Sequence, residues 1–409
     1  MAVASLGTGC DEVIEEDCFE QTGTLTQVTT DTLTVDHMYP SLSPDGTQIL
    51  FLTDFYVEGD QDEDEDAKEF GQGDYVIIDT PGPGEEREPT ALLETIGNAR
   101  RIDFDERSQD TIDEYGLLVQ GLDAFKGEST WIDNERIIVT MQNSRFLSRL
   151  FIYRIVGLTV VDDYEVEPLG IVEQDTLVER ENEPVRRFKF GYRWPKVSPN
   201  GEWVAYSRFY YDEGQNIFDL SDDRFEQPAI FAANLNDGRV IRVTNGSARE
   251  DQPTWSPDGN SIAFTALGER GIPDIYRVAF DPGQPAEKRG LSQPFTDGRR
   301  RLTRTPVEFR VPESSFEPTW TPGNQIIFTS TRRPPCTSRR IRNLWVMNAD
   351  GSNQRPLVVS EEDDAQPMVA NYQFAADGVD RLVVFTSRRN RDEAFEGQKD
   401  DLWVLRGGF

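Results

Sequence analysis

Histidine is almost missing from this sequence: His37 is the single one. That leaves no material for a metal centre built on several imidazoles and little for a serine–histidine–aspartate relay. Cysteine stops at three residues, Cys10, Cys18 and Cys336, so one internal bridge is the most the chain can form. No run approaches the roughly 20 apolar residues that a membrane-spanning helix requires, and no segment shows a helical apolar stripe. Phosphate-binding loops, zinc spacings and dinucleotide fingerprints are missing too. Basic residues are outnumbered, 42 against 74 acidic ones, for a formal net charge of −32. Such a balance opposes attraction to nucleic acid or anionic lipid and suits a strongly hydrated, soluble protein.

What the chain has instead is a repeat. Ser43-Pro44-Asp45-Gly46 returns as Ser198-Pro199-Asn200-Gly201 and as Ser256-Pro257-Asp258-Gly259, each followed by a short apolar strand. Weaker copies begin at Glu317 and Gln366, and a degenerate one at Ser129. Each copy continues into a further strand, seen at Asp74, Arg149, Ala229, Asp274, Asn343 and Asp401, several of which run into Asp-Gly or Gly-rich turns that tolerate positive backbone dihedrals. Fourth strands are read at Val240–Thr244 and Arg301–Thr303. Spacings near 40 to 60 residues match, to order of magnitude, one four-stranded blade.

Six copies predict an all-β fold, a six-bladed β-propeller of four-stranded antiparallel blades. The last copy ends at Phe409 after its third strand, and Thr24–Thr30 reads as the strand it lacks. The N-terminal strand is therefore predicted to complete the last blade and close the ring. The expected organisation is an acidic tail over 1–23 and a single propeller domain over 24–409.

With Pro, an aromatic residue, Ser-Pro-Asp-Gly, an apolar strand, then Asp-Ile-Tyr or Asn-Leu-Trp and Asn-x-Asp-Gly, the repeat resembles the TolB-type propeller family. The resemblance covers about residues 24–409 and implies the fold. For function it implies less, since the family spans envelope scaffolds, gating domains of peptidases and sugar-acting enzymes. TolB carries an α/β domain ahead of its propeller, and only the acidic tail precedes the first blade here, so that domain is expected to be lacking. The hydrolase domain of prolyl-oligopeptidase relatives is not expected either, because no Gly-x-Ser-x-Gly elbow occurs.

The start, MAVASLGTGCDEV, resembles the end of a bacterial lipoprotein signal with Cys10 as the lipidated residue, although the basic region is absent, the apolar core is short and Gly7 stands where Leu is preferred. An ordinary tail is the competing reading. If lipid takes Cys10, an exported protein is expected to pair Cys18 with Cys336; the rival pair is Cys10 with Cys18. These features suggest a periplasmic or cell-surface protein whose membrane contact, if it has one, is a lipid anchor.

His37 reads as structural rather than catalytic. The acidic run Asp60–Asp66 fails as a calcium loop because Glu65 and Gly71 stand where Gly and Glu are needed, so no metal and no cofactor is expected. Antiparallel blades put the second-to-third connections on one face, and elaboration is expected to be confined there. That face carries the acidic loop Asp54–Gly73 together with Tyr210 and Tyr211 in an aromatic loop, Arg332, Arg333, Arg339 and Arg340 in one basic loop, and Arg388 and Arg389 in another. Arginine beside aromatics is the composition of protein-binding hot spots, while mutual pairing of basic and acidic loops is the competing account. The expected function is a non-enzymatic interaction scaffold in the bacterial envelope or on the surface, docking another protein or a cell-wall polymer. The alternative is a propeller hydrolase or lyase acting on carbohydrates or lactones.

Overall fold

A computed structural model describes residues 22–29, 35–55, 74–82, 85, 99–103, 125–142, 148–156, 163–172, 188–212, 228–268, 271–283, 298–304, 313–334, 337, 340–360, 362–369, 382–388, 400–407 and 409, and among them there is no α-helix. β1 (Thr24–Gln27) comes first. Blade one holds β2 (Val35–Leu42), β3 (Gln48–Phe55), β4 (Asp74–Asp79) and β5 (Ala99–Asp103); blade two holds β6 (Phe125–Trp131), β7 (Arg136–Gln142), β8 (Ser148–Val156) and β9 (Asp163–Ile171). Blade three holds β10 (Phe188–Val197), β11 (Trp203–Asp212), β12 (Ala229–Asn234) and β13 (Val240–Arg242); blade four holds β14 (Glu250–Trp255), β15 (Ser261–Leu267), β16 (Pro273–Ala279) and β17 (Arg300–Arg301). Blade five holds β18 (Ser315–Trp320), β19 (Gln325–Ser330), β20 (Asn343–Asn348) and β21 (Arg355–Val358); blade six holds β22 (Asp364–Val369), β23 (Leu382–Ser387) and β24 (Asp401–Arg406).

The fourth place in blade six belongs to β1, which lies antiparallel to β24 with Thr24 opposite Arg406 and Gln27 opposite Trp403. A threonine latch marks it as a true fourth strand. Leu402 N–H donates to Thr29 Oγ1 at 2.9 Å, as Ile230 N–H does to Thr244 Oγ1 at 2.8 Å in blade three and Ile275 N–H to Thr303 Oγ1 at 2.9 Å in blade four. One pairing breaks the pattern of separate blades: β5 runs parallel to β9, so blades one and two form a single eight-stranded sheet.

The recurring turn owes its shape to three residues. Ser256 Oγ donates to Asp258 Oδ1 at 2.6 Å and accepts the Ser261 N–H at 2.9 Å, Asp258 Oδ1 accepts the Asn260 N–H at 3.0 Å, and Gly259 takes φ 70°. Glycine carries that left-handed conformation without the penalty a Cβ would bring. Ser43 and Asp45 repeat the motif at 2.6 Å, and Ser198 and Asn200 at 2.7 Å.

The apolar side chains of the middle strands point to both faces of each sheet, because each blade is sandwiched between two others. The core is accordingly split into six clusters, one at every blade junction. Leu50 and Tyr75 meet Ile137 and Phe151 between blades one and two, while Ile49 and Phe51 meet Val384 and Leu402 where blade one meets blade six. The remaining junctions repeat this arrangement. Tight turns and long connections do not divide cleanly between the two faces. The ends of β4 and β5, of β16 and β17, and of β22 and β23 that face the tight turns are each separated in sequence by far more than a tight turn, which corrects the expectation that elaboration is confined to the other face.

Candidate functional site

The innermost strands β2, β6, β10, β14, β18 and β22 surround a central channel, and each breaks register at the same place. In five of them the residue at the break has positive φ and precedes a proline: Tyr39 (54°), Trp194 (59°), Gln252 (58°), Glu317 (54°) and Gln366 (52°). Bulges accept proline where a ladder strand would not, since the missing N–H has no partner to lose. Blade two sets Gly127 and Glu128 at this position, without proline and without positive φ.

The bulge turns the next residue's amide toward the preceding blade, where a side chain receives it. Tyr39 N–H donates to Gln366 Oε1 (2.8 Å), Gln366 N–H to Glu317 Oε2 (2.9 Å), Glu317 N–H to Gln252 Oε1 (3.1 Å) and Trp194 N–H to Glu128 Oε2 (3.4 Å). Tyr39 and Trp194 themselves have no such acceptor to offer the blade after them. At those two junctions an indole takes over: Trp131 Nε1 donates to Ser41 O at 3.1 Å and Trp255 Nε1 to Lys196 O at 2.8 Å. All six junctions thus carry a polar tie on the innermost strands.

Inside the ring lies a space partly open to solvent, bordered by Tyr39, Trp194, Lys196, Glu317 and Met368 among others. Tyr39 and Trp194 meet edge to face with centroids 5.4 Å apart. Glu128 accepts both Nε (3.0 Å) and a terminal nitrogen of Arg193. That carboxylate raises the Arg193 guanidinium, while burial pushes the Tyr39 phenol up to about 12. Burial also raises the Glu317 carboxyl, against the partial relief of the Gln366 N–H and of Thr329 Oγ1, which donates at 2.8 Å. Lys196 reaches across from blade three so that Nζ lies 2.8 Å from Met368 Sδ, and burial pushes its amine down to about 8. Sequence reasoning passed over Lys196, although the other five blades place Ser41, Ser129, Thr254, Thr319 or Met368 at the same register.

His37 lies inside β2, fully buried, away from the channel-lining residues. Its Nδ1 sits 3.0 Å from Asp400 O, which can only accept, so Nδ1 carries the hydrogen. Thr29 Oγ1 is 3.3 Å and Asp401 Oδ1 3.7 Å from the same nitrogen, and the ring meets Phe51 edge to face. It joins the closing strand to blades one and six.

Four of the arginines singled out from the sequence, Arg332, Arg333, Arg340 and Arg388, lie among the described residues and differ in setting. Arg332 folds back over Phe328 and Trp345, 5.6 and 5.5 Å from their centroids, and donates to Gln354 Oε1 and Ser315 Oγ. Arg333 is exposed and donates to Thr337 O. Arg340 lies 3.8 Å from Glu313. Arg388 donates to Asp400 at 2.8 Å and approaches Asp363 at 3.8 Å, where Arg342 also pairs at 3.2 Å, so Asp363 links the basic loops of blades five and six. Tyr210 and Tyr211 fall at the end of β11. Cys10, Cys18, Cys336, Arg339, Arg389 and the acidic run Asp60–Asp66 lie outside the described residues.

No protein-family model matches the sequence. The Tol-Pal system protein TolB of Francisella tularensis subsp. tularensis (strain WY96-3418) is 35% identical over 78 residues, which is 19% of this chain and 18% of that protein. The match therefore spans less than a fifth of the curated relative. Among solved structures, TolB from Acinetobacter baumannii is similar at 14% identity and TM-score 0.40, over 92% of this chain and 64% of that one. A gluconolactonase from Xanthomonas campestris is similar at 12% identity and TM-score 0.43, over 96% of both chains. At such values neither structure bears on activity.

Proposed function

We infer that this chain, a TolB-like six-bladed propeller, works as an exported, non-enzymatic scaffold that holds a protein partner on the face carrying the β19–β20 and β23–β24 connections. The observation that carries this reading is the employment of the channel carboxylates. Glu128 is spent on Arg193 and the Trp194 amide, and Glu317 on the Gln366 amide and Thr329. Acids so committed to the framework leave the rim as the place where charge is presented outward, with Arg333 exposed and Arg388 half-buried beside it. Guanidinium groups suit acidic or aromatic protein surfaces there, because they pair bidentately and shed little hydration. A periplasmic or cell-surface setting, with Cys10 as a lipid attachment point and a cell-wall polymer as a second kind of partner, belongs to the same proposal.

Charge reversal at Arg333 and Arg389 tests it. Capture of a partner from an envelope fraction should be abolished while the melting temperature stays unchanged; undiminished capture would move the docking surface elsewhere.

The rival, a sugar or lactone hydrolase or lyase working in the channel, draws on one observation, the raised carboxyl of Glu317. A raised carboxyl is what a general acid needs. Glu317→Gln separates the two readings, since partner capture survives it and turnover in the channel would not.

A further inference from the structure

Lys196 departs from the repeat where departure costs most. Its register position faces the channel, and the other blades fill it with two serines, two threonines and a methionine. A long cation replaces them only in blade three. Its ammonium touches the sulfur of Met368, a weak acceptor, and no carboxylate among the described residues lies within ion-pair distance. A half-buried ammonium whose one nearby carboxylate, Glu128, already serves Arg193 leaves two cations to a single negative charge, an excess that is ordinarily matched by a further anion.

Among the titratable neighbours only Glu128 lends Lys196 negative charge, and it shares that charge with Arg193. Tyr39 from β2 keeps its proton to about pH 12. Glu128 from β6 is tied to Arg193 of β10. Glu317 from β18 accepts the Gln366 amide and the Thr329 hydroxyl. From β14, Asp251 is held by Ser207 and Arg249, and Gln252 is uncharged. From β22 come Gln366 and Met368, which do not titrate. The rest of the wall is flat and apolar: the edge-to-face pair of Tyr39 and Trp194, and the proline ring of Pro40, Pro253, Pro318 and Pro367.

We propose that the channel is a binding site for a small organic carboxylate, its anionic head on Lys196 Nζ and its apolar body against Tyr39, Trp194 and the prolines. Lys196 must be protonated to hold the head group, and burial places its amine near 8, so binding is strong at neutral pH and fades in alkali. This site is separate from the docking face, and loss of one function leaves the other.

Calorimetry on the full chain with benzoate, benzamide and benzylamine as probes decides the matter. At pH 7 benzoate should bind saturably with one site per chain, and benzamide and benzylamine at least about tenfold more weakly. Affinity for benzoate should fall by about tenfold or more at pH 9.5, where Lys196 is mostly neutral. Lys196→Met, which copies the residue of blade six, should abolish benzoate binding with an unchanged or higher melting temperature. Equal affinity for benzamide, an unchanged affinity at pH 9.5, or no saturable binding of benzoate, phenylacetate or pentanoate would each overturn the proposal. Should Lys196→Met fail to fold, the amide comparison and the pH series on the unaltered protein still decide it.

Discussion

The side-chain carbonyl of Gln366 receives the backbone N–H of Tyr39 at 2.8 Å, so the sixth blade grips the first through a residue 327 positions away in the chain. Removing that acceptor leaves a partly buried amide without its hydrogen bond, at a cost of about 1–3 kcal/mol. Gln366→Leu should therefore lower the midpoint of chemical unfolding, whereas Gln366→Glu, which keeps an acceptor in place, should lie closer to the unaltered protein. Denaturant titration of both variants checks this; equal midpoints for Leu and Glu would show that the tie contributes nothing.

Closure also depends on β1. Deleting residues 20–35 strips β24 of its neighbour, removes the Thr29 latch from Leu402 and the Thr29 contact to His37, and exposes a strand edge to other chains. The truncated protein should be insoluble or melt at a much lower temperature. Light scattering during a thermal ramp makes the comparison, and unchanged melting would refute closure by this strand.

Acid sensitivity should come from the turns. Burial alone would raise Asp45, but hydrogen bonds from Ser43 and Thr47 outweigh it, and the Ser256 hydroxyl holds Asp258 down, so both carboxyls lie below their usual 3.8. A carboxyl whose value is lower folded than unfolded adds stability above the unfolded value, and that stability is lost as pH falls through the folded value. Glu317 and Asp274 run the other way, since burial raises both and their ionisation costs stability as pH rises. The double variant Asp45→Asn, Asp258→Asn should lose less stability than the unaltered protein between about pH 4 and pH 2. Melting curves across that interval provide the measurement.

Neighbouring arginines in one loop should behave differently. Arg332→Ala removes a guanidinium packed on Phe328 and Trp345, so stability should fall by about 1–2 kcal/mol through lost packing and cation–π contact. Arg333→Ala, at an exposed position, should stay within about 0.5 kcal/mol of the unaltered protein. Urea unfolding of the two single variants distinguishes them.

The fold was legible because its signal is local and repeated. Ser-Pro-Asp-Gly encodes a turn through contacts within five residues, and in blades one, three and four the innermost strand leads into it and the second strand follows it directly. The closing strand was legible by analogy with Val243-Thr244, and both threonines do latch a backbone amide. The outer strands β5, β9 and β21 carry no such turn, and the parallel pairing of β5 with β9 joins segments some 60 residues apart with nothing local to announce it. The channel was harder still. Gln252, Glu317 and Gln366 look like ordinary polar residues before proline, and their purpose appears only when the ring sets each against the next blade. Lys196 could have been found by aligning the copies and asking which channel position changes character in one blade alone. The Arg-rich loops drew attention by composition, which records charge but not the aspartates and glutamate that stand opposite.

The pairing of Thr24 with Arg406 puts the chain's way in and its way out side by side on the outer edge of blade six, at the end of the strands where the tight turns lie. Thr24 and Arg406 therefore lie on the side opposite Arg333 and Arg388, so the entry of the closing strand and the arginine-bearing rim point away from each other.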